Sequence, residues 1–471
     1  MKKENKTYHF PKGFYWGSAT SAQQTEGKDE IPRDGKSETI WEKSFKEMEE
    51  RFFEGKFTKN NFLEEYSQDL KIAKKLNFNS LRISLSWSRL IPDGKNINLK
   101  AVKFYNNVFD EMKKNNLEIF VGLYHFDMPM WANDMGGWLS DEVVKKFSQY
   151  SKVAYELFGS KVKKWVTFNE PIVLVEGQFW YDFHYPFEVD FKKGIIAMFN
   201  IIKAHSLAVE EFRKTNLKTE IGIILNITPA IPRSNNIADK KASKIAELFQ
   251  WRCFSDSMLK GKFPIELIKL IKEKGVWPEK IDIKKYNEIF NKSRADFLGI
   301  NYYSPLRVKS LDSTPNFNEE DSAVTPHTHF YQTYEMPGRR MNIYRGWEIH
   351  PESIYTMLKT IQNEYENIPC YISENGMGVQ NEDKFRKNGV IQDSYRIEFL
   401  TEHLYWIHKA IQEGSSCFGY HMWTYIDNWS WLNGYKNRYG FVELNIKTNE
   451  RKEKLSASWI REVIDTNSIK F

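Results

Sequence analysis

Eight short apolar runs, each bounded by polar or turn-forming residues, constrain the fold of this chain more than any other feature of its sequence. The runs show little strict alternation of apolar and polar residues, which is typical of parallel strands that are buried on both faces. Each run ends in polar or aromatic residues, and in most cases a helical pattern follows. The runs span residues 14–18, 80–84, 119–123, 164–168, 221–225, 297–301, 370–373 and 418–422.

Helical spacing of apolar residues occupies many of the intervals between these runs. The residues of one stripe are Phe62, Tyr66, Leu70, Ala73 and Leu76. Those of a second stripe, which ends before Gly414, are Ile397, Leu400, Leu404, Ile407 and Ile411. Strands that alternate with helices predict an α/β fold, and eight of them predict a (β/α)8, or TIM, barrel. We expect residues 1–471 to form a single domain of this kind.

The chain is longer than the roughly 250 residues of a minimal barrel, so we expect long loops at the C-terminal face of the strands. Polar segments near residues 30–60, 305–345 and 376–393 are the candidates for these loops. The alternative architecture is a doubly wound open sheet. It is disfavoured because no glycine-rich phosphate loop follows the first strand.

Charge and the distribution of apolar residues exclude several classes of function. The chain has 68 basic and 62 acidic residues, a net charge of +6, and its basic residues are scattered, so nucleic-acid binding is not indicated. No run approaches the roughly 18 apolar residues of a membrane span, and we expect no secretory signal. The three cysteines lack the spacing of a metal site or disulfide framework. These features predict a cytoplasmic protein and leave its oligomeric state open.

Aromatic residues are frequent, with 33 Phe, 24 Tyr and 15 Trp making up 15% of the chain. This excess has two interpretations. It fits a cleft for a flat, partly apolar ligand such as a sugar ring or a base, and it also fits a large core filled by big side chains. Composition alone favours the core.

Polar residues at the C-terminal ends of the predicted strands are the candidates for chemistry, because active sites of such barrels lie at that face. Two ends have a lone carboxylate beside an asparagine, Glu170 and Glu374. Two carboxylates that face each other across a cleft are what glycoside hydrolysis requires. The alternative is that each glutamate caps a helix or pairs with an arginine. The pair is nevertheless favoured as catalytic by the polar and aromatic residues at the other ends, which are Gln24, residues 124–127, residues 301–303 and Trp423.

Several longer segments form a pattern that extends over essentially the whole chain. They are residues 14–22 with Gln24 and 26–27, then 82–84, 124–127, 167–171, 299–303 and 372–376. In this order they resemble the signature segments of the glycoside hydrolase family 1 β-glycosidases. Within that resemblance, residues 167–171 (TFNEP) are similar to the acid/base motif and residues 372–376 (ISENG) to the nucleophile motif.

The resemblance implies a retaining double displacement. Glu374 would be the nucleophile, and Glu170 would act first as general acid and then as general base. Retention requires the two carboxyl groups to lie about 5–5.5 Å apart. We expect a raised pKa for Glu170 beside an ionised Glu374, because like charges at that range do not both ionise easily. Arg82 and Tyr303 would orient Glu374.

The resemblance also assigns residues to the sugar. Asn169 would bind the 2-hydroxyl group, and Gln24 and His125 would bind the 3- and 4-hydroxyl groups, with Asn301 nearby. Without the resemblance, His125 is equally well interpreted as a core histidine. The aromatic residues assigned to the sugar cleft, with the first as the aglycone platform, are Trp347, Trp423, Trp431, Tyr303 and Tyr439.

The segment after the eighth strand, residues 423–440, determines the expected substrate. Neutral-sugar members of the family have a glutamate where this chain has Ser430, and that carboxylate would repel a sugar 6-phosphate. Members that act on 6-phosphoglycosides have a serine there, as this chain does. In those members a lysine and a tyrosine follow the serine. Tyr439 matches the tyrosine, but the lysine position is Asn437. The neighbouring Lys436 is a possible replacement, although adjacent side chains of an extended segment point oppositely.

Two features are similar to the 6-phospho-β-galactosidases. Trp431 directly follows the serine, where many 6-phospho-β-glucosidases have a smaller residue, and residues 338–340 (GRR) lie upstream of Trp347. These features favour a galacto substrate and leave a gluco substrate open.

The sequence therefore predicts a retaining 6-phospho-β-glycosidase without metal or cofactor, whose partner is a small sugar phosphate rather than a nucleic acid or a membrane. One alternative is a β-glucosidase or β-galactosidase for unphosphorylated glycosides, which Asn437 favours and which Ser430 and Tyr439 oppose. Another is a non-catalytic sugar-binding barrel, which the presence of both Glu170 and Glu374 opposes.

Overall fold

The structure is a computed structural model that describes residues 6–27, 34–52, 60–311 and 324–471. Its centre is a closed barrel of eight strands. We label them β1 to β8 in chain order: Tyr15–Ala19, Ser80–Ser84, Glu118–Tyr124, Lys164–Asn169, Glu220–Asn226, Phe297–Asn301, Cys370–Glu374 and Cys417–Met422. Each predicted run overlaps one of these strands. The (β/α)8 barrel is therefore confirmed, and the open sheet is excluded.

Neighbouring barrel strands pair in parallel, and their order along the chain is also their order around the barrel. The barrel closes where β8 pairs with β1, with Tyr420 opposite Trp16 and Met422 opposite Ser18. Parallel pairing places the carboxyl ends of all eight strands at one face. Side chains that follow these ends are thereby brought together, although they are far apart in sequence.

One layer of side chains shows how the barrel interior is filled. Phe120, Val166, Ile224, Phe297 and Tyr371 come from the successive strands β3 to β7 and form one buried cluster. The rings of Phe120 and Tyr371 meet edge to face at 5.6 Å. Their strands are not neighbours, so this contact crosses the interior. Part of the aromatic excess is therefore core packing.

Helices surround the barrel. Those of seven or more residues in the described ranges are labelled α1 to α12: Ile40–Glu47, Phe62–Lys75, Leu99–Lys114, Asp141–Phe158, Phe191–Lys214, Ile237–Glu247, Cys253–Leu259, Ile265–Glu273, Ile283–Lys292, Glu352–Glu364, Ser394–Gln412 and Leu455–Thr466. The two predicted apolar stripes lie on α2 and α11. Leu70 and Ala73 of α2 and Leu400 and Ile407 of α11 are buried, as the helical spacing predicts.

Short elements occupy the connections. The short helices are Ala22–Thr25, Trp87–Leu90, Met130–Asp134, Pro171–Val175 and Pro326–His329, with single turns at Glu49–Arg51, Gly137–Leu139, Glu176–Trp180, Leu248–Arg252, Glu382–Phe385 and Trp431–Asn433. The short strands are Thr7–His9, Ala230–Pro232, Leu306–Lys309, Gln332–Thr333, Met341–Asn342, Trp347–Glu348, Arg386–Lys387, Val390–Ile391, Val442–Leu444, Arg451–Glu453 and Ser468–Lys470.

The predicted long loops follow β1, β6 and β7, at the C-terminal face of the barrel. Parts of two of them, residues 30–33, 53–59 and 312–323, lie outside the described residues.

Candidate active site

The carboxyl ends of the barrel strands surround a cavity of about 350 Å³, a volume typical of small-molecule sites. The predicted site residues in its wall are Gln24, His125, Glu170, Tyr303, Trp347, Glu374, Trp423, Ser430, Trp431 and Tyr439. Three further predicted residues, Arg82, Asn169 and Asn301, lie behind this wall and hydrogen-bond to residues that form it.

Glu374, the last residue of β7, is buried and has a partner on each carboxylate oxygen. The guanidinium of Arg82 pairs with Oε1, and the Tyr303 hydroxyl donates to Oε2 over 2.7 Å. Burial and the charge of Glu374 raise the pKa of Tyr303, so its hydroxyl remains a donor. These two hydrogen bonds, one of them charge-assisted from both sides, fix the orientation of the carboxylate.

Glu170 follows β4 and precedes the short helix Pro171–Val175, and its backbone lies in the left-handed region at φ 49° and ψ 60°. That conformation is unfavourable for a residue with a side chain and is typical of functional sites. The Glu170 amide donates to the Ile224 carbonyl at 2.9 Å. Asn301 Nδ2 donates to Glu170 Oε1 at 2.8 Å. The next two strands of the barrel thus fix both the backbone and the side chain.

The protonation state of Glu170 follows from its surroundings. Burial raises the pKa of its carboxyl to about 8, and the charge of Glu374 is the second cause. The hydrogen bond from Asn301 and the charge of Arg82 lower that pKa in part. A carboxyl with this pKa is protonated at neutral pH and available as a general acid.

Asn169, the last residue of β4, connects polar side chains at the base of the cavity. Its Oδ1 accepts from Arg82 at 3.2 Å and from Asn301 at 3.1 Å. Its Nδ2 lies 3.3 Å from Nε2 of His125. Burial, assisted by the charge of Arg82, lowers the pKa of His125 well below its usual value. The imidazole is therefore neutral and contributes one donor and one acceptor.

Gln24 lies in the short helix Ala22–Thr25 that follows β1, and it is buried. Its Nε2 donates to the Trp429 carbonyl at 2.7 Å, and its Oε1 accepts from the Ser21 hydroxyl at 2.7 Å. An amide group has one further N–H and one further lone pair for a ligand. The bond to Trp429 also connects the first strand end to the segment after β8.

Aromatic side chains form much of the remaining wall. The rings of Trp347 and Tyr303 lie 5.2 Å apart. His125 is stacked at 5.9 Å on Trp423 and at 6.0 Å on Trp431. Such faces suit the apolar faces of pyranose rings.

Ser430 and Tyr439 bring two hydroxyl groups into the wall after β8. The Ser430 amide donates to the Gly434 carbonyl at 2.8 Å, which closes a turn. Burial raises the pKa of Tyr439, while the charge of Arg345 and a hydrogen bond with Ser430 lower it in part. Gly378 makes room for the tyrosine, because a Cβ at that residue would lie 2.5 Å from its ring.

Comparison with known proteins identifies the family. The model described as Glycosyl hydrolase family 1 matches residues 6–469. The chain belongs to glycosyl hydrolase family 1. It is 48% identical over 467 residues to the 6-phospho-beta-glucosidase GmuD of Bacillus subtilis (strain 168), covering 97% of this chain and 98% of the relative. It is 35% identical over 472 residues to a 6-phospho-beta-galactosidase of Clostridium acetobutylicum, covering 97% of each chain.

Among solved structures, the family 1 β-glucosidase from Thermotoga maritima superposes with a TM-score of 0.88 at 32% identity, covering 99% of this chain and 100% of that one. The predicted resemblance to this family is confirmed, and the chain is a glycoside hydrolase.

Two residues predicted to bind phosphate lie outside the wall of the cavity in this family 1 hydrolase. Lys436 lines a separate cavity of about 420 Å³, together with Asp427 and Glu443. Asn437 is fully buried, and its Nδ2 donates to the Tyr344 carbonyl at 3.3 Å. Neither residue therefore lines the described wall, and direct binding of the phosphate by Asn437 or Lys436 stays a prediction.

The wall of the cavity also contains residues that the sequence analysis did not single out: Phe126, Val173, Glu176, Phe183, His184, Asn226, Arg345, Leu432 and Asn433. Burial raises the pKa of Glu176 to about 7. A hydrogen bond of 2.8 Å from Gln250 lowers that pKa in part. The sequence signal for Arg345 was its place two residues before Trp347, and the signal for Glu176 was its place six residues after Glu170.

No helix in the described ranges has the length and apolar character needed to cross a membrane. In the same part of the chain, no group of three or more His, Cys, Asp or Glu residues could bind a metal ion. Cys253, Cys370 and Cys417 are buried and free.

Proposed function

We propose that this chain is a retaining 6-phospho-β-glycosidase that hydrolyses 6-phosphorylated β-disaccharides and β-glycosides. The observation that supports this most is Ser430 in the wall of the cavity, beside Tyr439. By the family resemblance, neutral-sugar members have a glutamate at this position, and a carboxylate would repel a phosphate dianion. The names of the two relatives that are 48% and 35% identical agree with a phosphorylated substrate.

The proposed reaction has two steps. In the first, Glu374 attacks the anomeric carbon, and the bond to the leaving oxygen breaks as Glu170 donates its proton to that oxygen. In the resulting ester Glu374 is uncharged, so one cause of the raised pKa of Glu170 is removed. In the second step, ionised Glu170 takes a proton from water, whose oxygen attacks the anomeric carbon and releases Glu374. Two inversions give net retention.

Other residues of the site orient the reacting groups in this proposal. Asn169 binds the 2-hydroxyl group of the sugar, and Gln24 and His125 bind the 3- and 4-hydroxyl groups. Asn301 orients the general acid through its 2.8 Å hydrogen bond. Trp347 forms the platform for the aglycone.

The choice between a gluco and a galacto substrate rests on three observations that do not all agree. Trp431 favours a galacto substrate by resemblance. Arg339 and Arg340 pair with Glu335 and Glu402 and are not among the residues of the described cavity wall, so they supply no contact that supports the galacto preference. The relative at 48% identity has the gluco name. We therefore propose that 6-phospho-β-glucosides are substrates and that the galacto epimers are also accepted.

A hydrolase of unphosphorylated β-glycosides is the second candidate, favoured by Asn437 at the lysine position. The deciding experiment compares kcat/KM for 4-nitrophenyl β-glucoside, β-galactoside and their 6-phosphates. We expect a preference of at least about 100-fold for the phosphorylated compounds, because each charge-assisted contact contributes about 1.5–3 kcal/mol and about 1.4 kcal/mol is tenfold. A clear preference for the unphosphorylated compounds would contradict the proposal.

A matched pair of variants sharpens this experiment. Ser430→Glu should abolish the preference for the 6-phosphate through repulsion, whereas Ser430→Ala should only weaken it through loss of one hydroxyl contact. The non-catalytic alternative predicts that none of the four compounds is hydrolysed.

The proposal also includes a single domain over residues 1–471 and a cytoplasmic location. The family model spans residues 6–469, and three free, buried cysteines fit a reducing compartment. The proposed ligand is a small sugar phosphate, with no metal, cofactor or nucleic acid. Cell fractionation tests the location and should place the activity in the cytoplasmic fraction.

A further inference from the structure

Arg345 is a cation in the wall of the sugar cavity, which it shares with Ser430, Tyr439 and Glu374. We propose that Arg345 binds the 6-phosphate of the substrate in place of the lysine that this chain lacks, and that Asn437 is the positioning residue for Arg345. This inference rests on the proposed function and names the residues that supply its phosphate specificity.

The hairpin that contains Arg345 directs its side chain. Its two strands, Met341–Asn342 and Trp347–Glu348, pair antiparallel. At the tip, the amides of Arg345 and Gly346 donate to the Asn342 carbonyl at 3.1 and 2.9 Å. The guanidinium lies 4.2 Å from the ring centroid of Trp347, which lines the same cavity. Stacking on an aromatic face leaves the guanidinium N–H groups free to donate in the plane of the fork.

The charge of Arg345 has no acidic partner among the described residues, although many other arginines of this chain are paired. Its Nε is buried without a hydrogen-bond partner in the described structure. A buried donor on a permanent cation is unfavourable unless an anion binds there. The charge of Arg345 also lowers the pKa of the Tyr439 hydroxyl, which lines the same cavity.

The other basic residues near the site do not supply a positive charge for the phosphate. His125 and His184, which line the cavity, have lowered pKa values because they are buried, and both are neutral. Lys436 lines the separate cavity beside Asp427 and Glu443. Within the described wall, Arg345 is therefore the residue with a permanent positive charge.

Asn437 contacts the residue directly before Arg345. The Tyr344 carbonyl accepts from Asn437 Nδ2 at 3.3 Å and from Gln380 Nε2 at 2.8 Å. The Tyr344 hydroxyl accepts from Lys384 Nζ at 2.7 Å. The hairpin is thereby attached to the segments after β7 and β8. Asn437, which replaces the lysine of similar phosphoglycosidases, thus positions Arg345 from another loop.

The guanidinium of Arg345 has the chemistry to bind a phosphate ester. A guanidinium presents two parallel N–H groups to two phosphate oxygens, which a single lysine ammonium does not. The hydroxyl groups of Ser430 and Tyr439 supply further donors in the same wall. Together they form a site for a dianion.

The test uses the whole enzyme and one aglycone, comparing 4-nitrophenyl β-glucoside with its 6-phosphate. Arg345→Met should lower kcat/KM for the 6-phosphate by about 10- to 100-fold. The loss should be at least about tenfold larger for the 6-phosphate than for the unphosphorylated glucoside. Arg345→Lys should recover part of the loss, because it restores the charge without the fork. A purely structural role predicts equal losses for both compounds and would overturn the inference.

Two further variants separate the roles of the neighbouring residues. Asn437→Ala should raise KM for the 6-phosphate while kcat stays within about twofold, because it loosens Arg345 without removing it. An unchanged KM would overturn the positioning role. Lys436→Met is the matched control for loss of a nearby cation, and the inference predicts an unchanged ratio between the two compounds. A lost preference in Lys436→Met with a retained one in Arg345→Met would overturn the assignment.

The wild-type enzyme distinguishes failure of this inference from failure of the proposed function. If the wild type shows no preference for the 6-phosphate, the proposed function itself fails. If the wild type prefers the 6-phosphate and Arg345→Met keeps that preference, only the role of Arg345 fails.

Discussion

The Tyr303 hydroxyl donates a 2.7 Å hydrogen bond to Oε2 of Glu374, the oxygen that Arg82 does not bind. Tyr303→Phe removes this bond and keeps the ring beside Trp347. Because a hydrogen bond to a charged group contributes about 1.5–3 kcal/mol, we expect kcat to fall by about 10- to 100-fold. Steady-state kinetics measures the effect. A change in KM alone would contradict the role of Tyr303 in orienting the nucleophile.

The raised pKa of Glu170 predicts the alkaline limb of the pH profile. The first step needs protonated Glu170, so kcat/KM should be high below the pKa of about 8 and fall as pH rises through it. Glu170→Gln, assayed with a dinitrophenyl leaving group that needs no proton, should lack this limb. An alkaline limb near pH 5, or an unchanged limb in the variant, would contradict the assignment of the acid.

The same pKa predicts a stability effect. The pKa of Glu170 is raised from 4.5 in the unfolded chain to about 8 in the folded state. Between these values the native state binds more protons, so stability falls as pH rises through this window. Glu170→Gln removes this ionisable carboxyl. The gain in Tm over wild type should therefore be larger at about pH 8 than at about pH 5. Calorimetry at both pH values measures the difference, and equal Tm shifts would contradict burial of an ionisable Glu170.

A buried ionic cluster supports the backbone beside the site. Arg396 is buried, pairs with Glu382 and Asp393, and donates to the Tyr439 carbonyl at 2.9 Å. Arg396→Met leaves two buried carboxylates without this partner and should destabilise the protein by about 3–5 kcal/mol. Lys470→Met, which breaks an exposed pair, is the control and should cost at most about 1 kcal/mol. Denaturant unfolding compares the two, and equal effects would contradict the importance of the cluster.

The barrel and its two glutamates were predictable because each depends on short stretches of sequence. An apolar run that forms a parallel strand places the next residue at the C-terminal face, so Glu374 and Asn301 followed from the position of their strands. The left-handed backbone of Glu170 was not predictable from residue types alone, because residues with a side chain rarely adopt this conformation.

The surroundings of the proposed phosphate site could not be predicted from the sequence. Arg345 is brought to the cavity by hydrogen bonds from Gln380 and Asn437 to its neighbour Tyr344, and these residues lie far apart in the chain. Loop-to-loop contacts of this kind leave no periodic pattern. Lys436 was assigned by its place in sequence, whereas the direction of its side chain depends on the fold around it.

Covalent labelling tests the central claim most directly. A 2-deoxy-2-fluoro-β-glucoside 6-phosphate with a dinitrophenyl leaving group should form a glycosyl-enzyme that hydrolyses slowly. Peptide mass spectrometry should then locate one adduct, on Glu374, and inactivation should be at least about 100-fold more efficient than with the unphosphorylated analogue. An adduct on another residue, or equally efficient inactivation by the unphosphorylated analogue, would contradict a retaining 6-phospho-β-glycosidase.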